Sequence, residues 1–116
     1  MRHVRKKVVK VCEELTMFFF SIGADEITSQ INQSEESYTV IFNTNYQPQH
    51  APMLAKLDKY LSYGKDVGAE EEYWALAGTS ELGEGTEIML LGMMISDYVL
   101  DVTPDHAKLT INMPTH

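Results

Sequence analysis

The chain is poor in the residues that would staple it covalently or attach it to a charged polymer. It has a single cysteine, Cys12, in 116 residues. No internal disulfide can form, so the fold must come from burial, as suits a reducing compartment. Positive charge is also scarce, with nine Lys/Arg against 17 Asp/Glu and a formal net charge of −8. Five of the nine cations, Arg2, Arg5, Lys6, Lys7 and Lys10, fall in the first ten residues. The other four stand against all 17 acids, so residues 11–116 carry −13. So acidic a body argues against a broad nucleic-acid surface, which needs clustered positive charge. No apolar run reaches the ~18–20 residues that cross a bilayer. The basic start lacks the apolar region and small-residue cleavage site of a leader. The expectation is a cytoplasmic protein with no membrane and no nucleic-acid partner.

Metal and nucleophile chemistry is equally thin. His3, His50, His106 and His116 are scattered, without the His-x-x-x-His type of ligand spacing, so no metal and no cofactor are expected. Cys12 lies on an apolar stripe beside Glu13 and Glu14, which disfavours a thiolate. The segment "SYGKDVG" contains Gly-Lys but lacks the upstream glycine and the Ser/Thr of a Walker loop.

What is present is enough apolar material, 44% of residues, for one domain spanning 1–116. From Arg2 to Ile22, the residues Val4, Val8, Val11, Cys12, Leu15, Phe18, Phe19 and Ile22 recur at steps of three and four. They predict a long helix stopped by Gly23. The triplet Phe18–Phe19–Phe20 points three ways, so at least one ring must leave the main stripe. The period then changes to two. Residues 27–33 and 38–43, joined by "QSEES", predict a β-hairpin, and the second strand, apolar on both faces, reads as central. "NYQPQHAP" is a loop, and Pro52 opens a helix whose face is Met53, Leu54, Leu57, Tyr60 and Leu61, ended by the glycines of "SYGKDVG". A short helix is expected from Ala69 to Ala77. Another is expected from Thr86 to Ser96, with Gly83 and Gly85 as turn residues and Thr86 as N-cap. Strands at 98–102 and 108–113 close the chain.

The order α-β-β-α-α-α-β-β predicts an α+β two-layer sandwich. A four-stranded, mostly antiparallel sheet carries the helices on one face. Leu15, Phe19, Ile31, Val40, Phe42, Leu57, Leu91, Ile95, Leu109 and Ile111 are the expected core.

This order resembles the GHKL ATPase fold of histidine kinases, anti-sigma kinases, gyrase, MutL and heat-shock chaperones. "EELTMFFFSIGADEITSQI" looks like that family's first helix running into its first strand, and "GEGTEIMLLGMMI" like its glycine motif running into the next helix. The family's first helix carries Glu-x-x-x-Asn. The resemblance places Glu14 at the Glu and Phe18 at the magnesium-binding Asn, and a phenyl ring cannot bind a hard cation. The family's Asp-x-Gly-x-Gly reads Asn43-Thr44-Asn45-Tyr46-Gln47 here, without the Asp or either glycine. Its Gly-x-Gly-x-Gly reads Gly83-Glu84-Gly85-Thr86-Glu87, in which Glu84 and Glu87 set like charge beside any phosphate.

Three functions follow as expectations. The first is a non-catalytic regulatory or protein-interaction domain, meeting an unidentified protein partner or a second copy of itself through Phe18, Phe20, Met89, Met93 and Met94. The second is a nucleotide-binding anti-sigma-type protein kinase, with Glu14 catalytic and Asn43, Gly83 and Gly85 at the nucleotide. The third is an α+β small-molecule binding domain with its pocket near Trp74.

Overall fold

A computed structural model of the chain describes residues 2–65 and 84–115. The elements are α1 (Arg2–Ser21), β1 (Ile27–Gln33), β2 (Ser37–Asn45), a 3-10 turn at Pro48–His50, α2 (Ala51–Lys65), α3 (Glu84–Met94), β3 (Asp97–Val102) and β4 (His106–Pro114). The expected helix at Ala69–Ala77 lies outside the described residues, and so does Trp74. The fold is α+β, with the four strands in one antiparallel sheet ordered β1-β2-β4-β3. Two hairpins meet through their second strands, so β2 is central, as its two apolar faces predict.

The β2–β4 register pairs Tyr38 with Met113, Val40 with Ile111, Phe42 with Leu109 and Thr44 with Ala107. All eight are buried. Because side chains alternate along a strand, these four pairs share one face, and the helices cover it. The opposite face carries Thr39, Asn43, Lys108 and Asn112. There Thr39 Oγ1 donates to Asn112 Oδ1 at 2.9 Å, and Asn112 Nδ2 donates to Asp97 Oδ1 at 2.6 Å. That row of side-chain hydrogen bonds suits a solvated face.

Helix α1 buries Val8, Val11, Leu15, Phe18, Phe19 and Ile22, the stripe read from its spacing. Phe19 stands between Phe18, edge-on at 5.5 Å, and Phe42 of the sheet, at 5.7 Å. Its stop is chemically complete. Gly23 has φ of +87°, Gly23 N–H donates to Phe20 O, and Ala24 N–H donates to Phe19 O, each at 3.0 Å. This is the glycine-closed Schellman pattern. Gln47 N–H then donates to Ile22 O at 3.0 Å, and Asn45 Oδ1 accepts from the backbone N–H of Asp25 and Glu26. The helix end is thus tied to the end of β2.

Helix α3 contacts both α1 and α2, which accounts for its apolar character on nearly every side. Ile88, Met89 and Leu91 are buried in it, and Ile95 just after it. Helix α2 buries Leu54, Leu57 and Leu61, and is fixed to the β3 edge by Tyr98, whose hydroxyl donates to Asp58 Oδ1 at 2.7 Å.

Several expectations need correction. Ile31 is not core but 51% exposed, because β1 is an edge strand and the helix layer does not cover that far out. Helix α3 starts at Glu84 rather than Thr86 and ends at Met94 rather than Ser96. Gly85 and Thr86 are therefore helical, and Thr86 is not the N-cap. Helix α2 is described to Lys65, inside the SYGKDVG segment read as its end, and Gly68 lies outside the described residues.

Two measurements check this packing. A Cβ added at Gly23 would overlap the Gln47 side chain, and φ of +87° is itself strained for alanine. Gly23→Ala is expected to lower the unfolding free energy in urea by at least ~1 kcal/mol. The Tyr98 phenol is pushed up to about 12 by desolvation and by the hydrogen bond and negative charge of Asp58. A folded-state value raised above the ordinary 10 means the stabilisation is complete below pH 10 and lost as pH rises towards 12. Tyr98→Phe should therefore cost about 1 kcal/mol near pH 8. The gap between wild type and variant should close between pH 10 and 12 in parallel urea titrations.

Candidate functional site

The helix layer leaves a cleft of about 390 Å³ between α1 and α3. Helix α1 contributes Glu13, Glu14, Met17, Phe18 and Ser21, and α3 contributes Glu87 and Ile88. The α1 residues stand three and four apart, so one side of the helix presents them all. Its floor is anchored in the core, since Phe18 and Ile88 are only 8% and 5% exposed. Met17, 64% exposed, forms part of the rim.

The lining is acidic. It holds three carboxylates and, among the described residues, no Lys or Arg. The nearest ammonium is already engaged: Lys10 Nζ donates to Glu14 Oε1 at 2.8 Å, one helical turn away. That hydrogen bond and the charge of Glu14, then the charges of Glu87 and Glu13, push the Lys10 ammonium up. The first turn of α3 reads Glu84-Gly85-Thr86-Glu87, so acidic residues occupy sequence positions at the positive end of the helix dipole. Ser21 is no free nucleophile, because its hydroxyl donates to Phe18 O at 2.6 Å. The cleft is therefore built to repel phosphate and to favour a group with positive charge beside apolar surface.

The structure brings some of the sequence candidates together and separates others. Glu14 and Phe18 meet Glu87 and Ile88 of α3 in this cleft. Asn43 does not join them: it pairs with Thr28 and Lys108 and is exposed on the opposite face of the sheet. Gly83 lies outside the described residues, and Gly85 lies in the first turn of α3. Of the five expected interaction residues, Phe18 and Met89 are buried, Met89 completely, and so serve the core rather than an open surface. Phe20 and Met93 are exposed, at 59% and 40%, and Met94 is half-buried against the core.

The other chemistry stays apart. Cys12 is half-buried, and desolvation pushes its thiol up, away from a reactive thiolate. The carboxylates expected to cause this are not the cause; burial is. His106 Nδ1 lies 3.0 Å from Asp105 Oδ1 at an exposed turn. Among the described residues no three His, Cys, Asp or Glu are grouped to hold a metal ion, and no helix is long and apolar enough to cross a membrane. Sequence reading missed Glu13, Met17 and Ser21 as cleft residues. The signal was the four-residue spacing 13-17-21, parallel to the 14-18 step that was read. Comparison with protein-family models, curated proteins and solved structures gave no match.

Like charges across a partly solvated cleft repel, and salt screens them. Replacing Glu13 and Glu87 together by Gln should raise thermal stability at low ionic strength, by about 0.5 kcal/mol. The gain should fade in high salt. Melting curves of both proteins over a salt series measure it.

Proposed function

We propose that the chain is a non-catalytic regulatory or protein-interaction domain built on a histidine-kinase-like ATPase fold. One observation carries this reading. The α1–α3 cleft, where the resembled family would seat its magnesium nucleotide, is lined by Glu13, Glu14 and Glu87 with Phe18 and Ile88. A triphosphate placed there meets three carboxylates, and the metal-ligand position is a phenyl ring. Asn43, the residue at the base-reading position, is turned to the other side of the sheet.

The alternative is a nucleotide-binding, anti-sigma-type protein kinase. It is favoured by the meeting of Glu14 with the first turn of α3 in one cleft. Glu14 would activate the attacking group, and Gly83 and Gly85 would line the phosphates. It has to overcome the carboxylates.

Thermal denaturation with and without Mg-ATP or Mg-ADP separates the two. At ~1 mM nucleotide, a Kd of ~10 μM would stabilise the fold by about 2.7 kcal/mol. The expected result is no shift. A reproducible rise of several degrees, lost in Glu14→Ala, would establish the kinase reading in place of the non-catalytic one.

A further inference from the structure

The α1–α3 cleft joins an apolar floor to an acidic lining. Phe18 and Ile88 form the floor, almost fully buried, and the exposed Met17 borders the opening. Glu13, Glu14 and Glu87 supply three carboxylates. Its volume of about 390 Å³ is at the small end of ligand pockets, which run to ~1,000 Å³, and suits one long side chain.

The chain already holds one cation at this site. Lys10, one turn before Glu14, donates to Glu14 Oε1 at 2.8 Å. Its ammonium is pushed up by Glu14 first, and also by Glu87 and Glu13, so all three cleft acids act on it. Lys10 nevertheless stays outside the lining, with 48% of its side chain exposed. Among the described residues Glu13 and Glu87 have no hydrogen bond or ion pair. Two carboxylates beside apolar surface are thus left for a cation from outside.

We propose, resting on the protein-interaction reading, that the cleft receives an arginine side chain from a basic segment of the partner protein. The guanidinium pairs with Glu13 and Glu87, and the apolar stem lies against Phe18, Ile88 and Met17. Arginine suits this lining better than lysine. A planar guanidinium meets carboxylates with a fork of N–H donors, is weakly hydrated and is attracted to an aromatic ring. An ammonium is a compact, strongly hydrated charge that loses more on entering a partly enclosed apolar space.

Charge beyond the cleft selects a protein segment over a small organic cation. Residues 11–116 carry −13, so cations flanking the arginine also meet negative potential, whereas a lone cation gains only inside the cleft. The thioether of Met17 adapts to whatever backbone carries the arginine.

The test titrates the full chain with a short Gly/Ser peptide holding one central Arg between two Lys, followed by NMR. Saturable shifts are expected at the Met17 methyl and the Ser21 and Ile88 amides, weakening in salt. Norleucine in place of the central Arg should weaken binding at least about tenfold, and Lys in its place about threefold. Arginine amide alone should bind at least about fivefold more weakly than the peptide. Glu13→Gln with Glu87→Gln should weaken the peptide about tenfold. Glu35→Gln with Glu36→Gln, the same charge change at the β1–β2 turn, should alter it less than about twofold. Lys10→Gln frees Glu14 and should strengthen binding about twofold or more, whereas Lys108→Gln, on the opposite face of the sheet, should not. Shifts confined to other residues would overturn the proposal. So would a norleucine peptide, a Lys peptide or arginine amide that binds as tightly, or control variants that act as strongly as the cleft variants. A melting shift with Mg-ATP defeats the non-catalytic reading, whereas absence of peptide binding without that shift defeats this inference alone.

Discussion

The structure depends on the pairing of β2 with β4. Each hairpin alone has one face it cannot bury, and two strands in water are marginal at best. Joining their inner strands creates one continuous apolar patch of four cross-strand pairs, from Tyr38–Met113 to Thr44–Ala107. That patch determines where everything else can go. A slip of one residue would turn Val40, Phe42, Leu109 and Ile111 to solvent and put Ile41, Asn43, Lys108 and Thr110 under the helices. The helices take their places by this register: Phe19 of α1 meets Phe42, and Tyr98 holds α2 at the far edge through Asp58. The connecting loops reinforce the same choice. Tyr46, after β2, donates from its hydroxyl to Thr103 O at 2.5 Å, linking the end of one hairpin to the turn of the other.

The helix layer is centred on this patch, and its limits create the features that bear on function. Coverage is complete over β2 and β4 and fails at the margins, where Ile31 on β1 and Val102 on β3 are about half exposed. The two margins differ chemically. Strand β3 carries Asp97 and Asp101 and is braced by α2, whereas β1 carries no charge. Within the layer, α1 and α3 diverge enough to leave the acidic cleft.

The periodicities that described the fold were legible because they have a direct geometric cause. Residues at steps of three and four gave α1 almost to the residue. The alternation of Tyr38, Val40 and Phe42, and of Leu109, Ile111 and Met113, gave two faces that are in fact one. Ile31 shows where that reading stops. Alternation reports which face a side chain takes but not how far its strand lies from the centre of the sheet, and burial needs both. The start of α3 failed for a different reason. Glu-Gly-Thr-Glu has the composition of a turn and a cap, yet the helix already runs through it, against a weak local preference. Phe18 and Met89 were read as surface because helices rich in Phe and Met have apolar residues to spare. Which of them is spare depends on where the neighbouring helix lies.

The candidate site was legible only in part, and the part that was not concerns charge. Sequence spacing could align Glu14 with Phe18 and flag Glu87, but only the packing of α3 beside α1 brings Glu87 and Glu13 into the same cleft. The distinction matters physically. Separate surface carboxylates are well hydrated and interact weakly at a distance, whereas three lining one partly enclosed space share a smaller solvent volume and reinforce one another. Lys10 is hydrogen-bonded to Glu14 alone, and its one charge stands against three carboxylates. The remainder leaves the cleft with a net negative charge. A phosphate-binding site is assembled from backbone N–H groups, positive charge and a metal ligand, whereas this cleft is lined by acids and a buried phenyl ring.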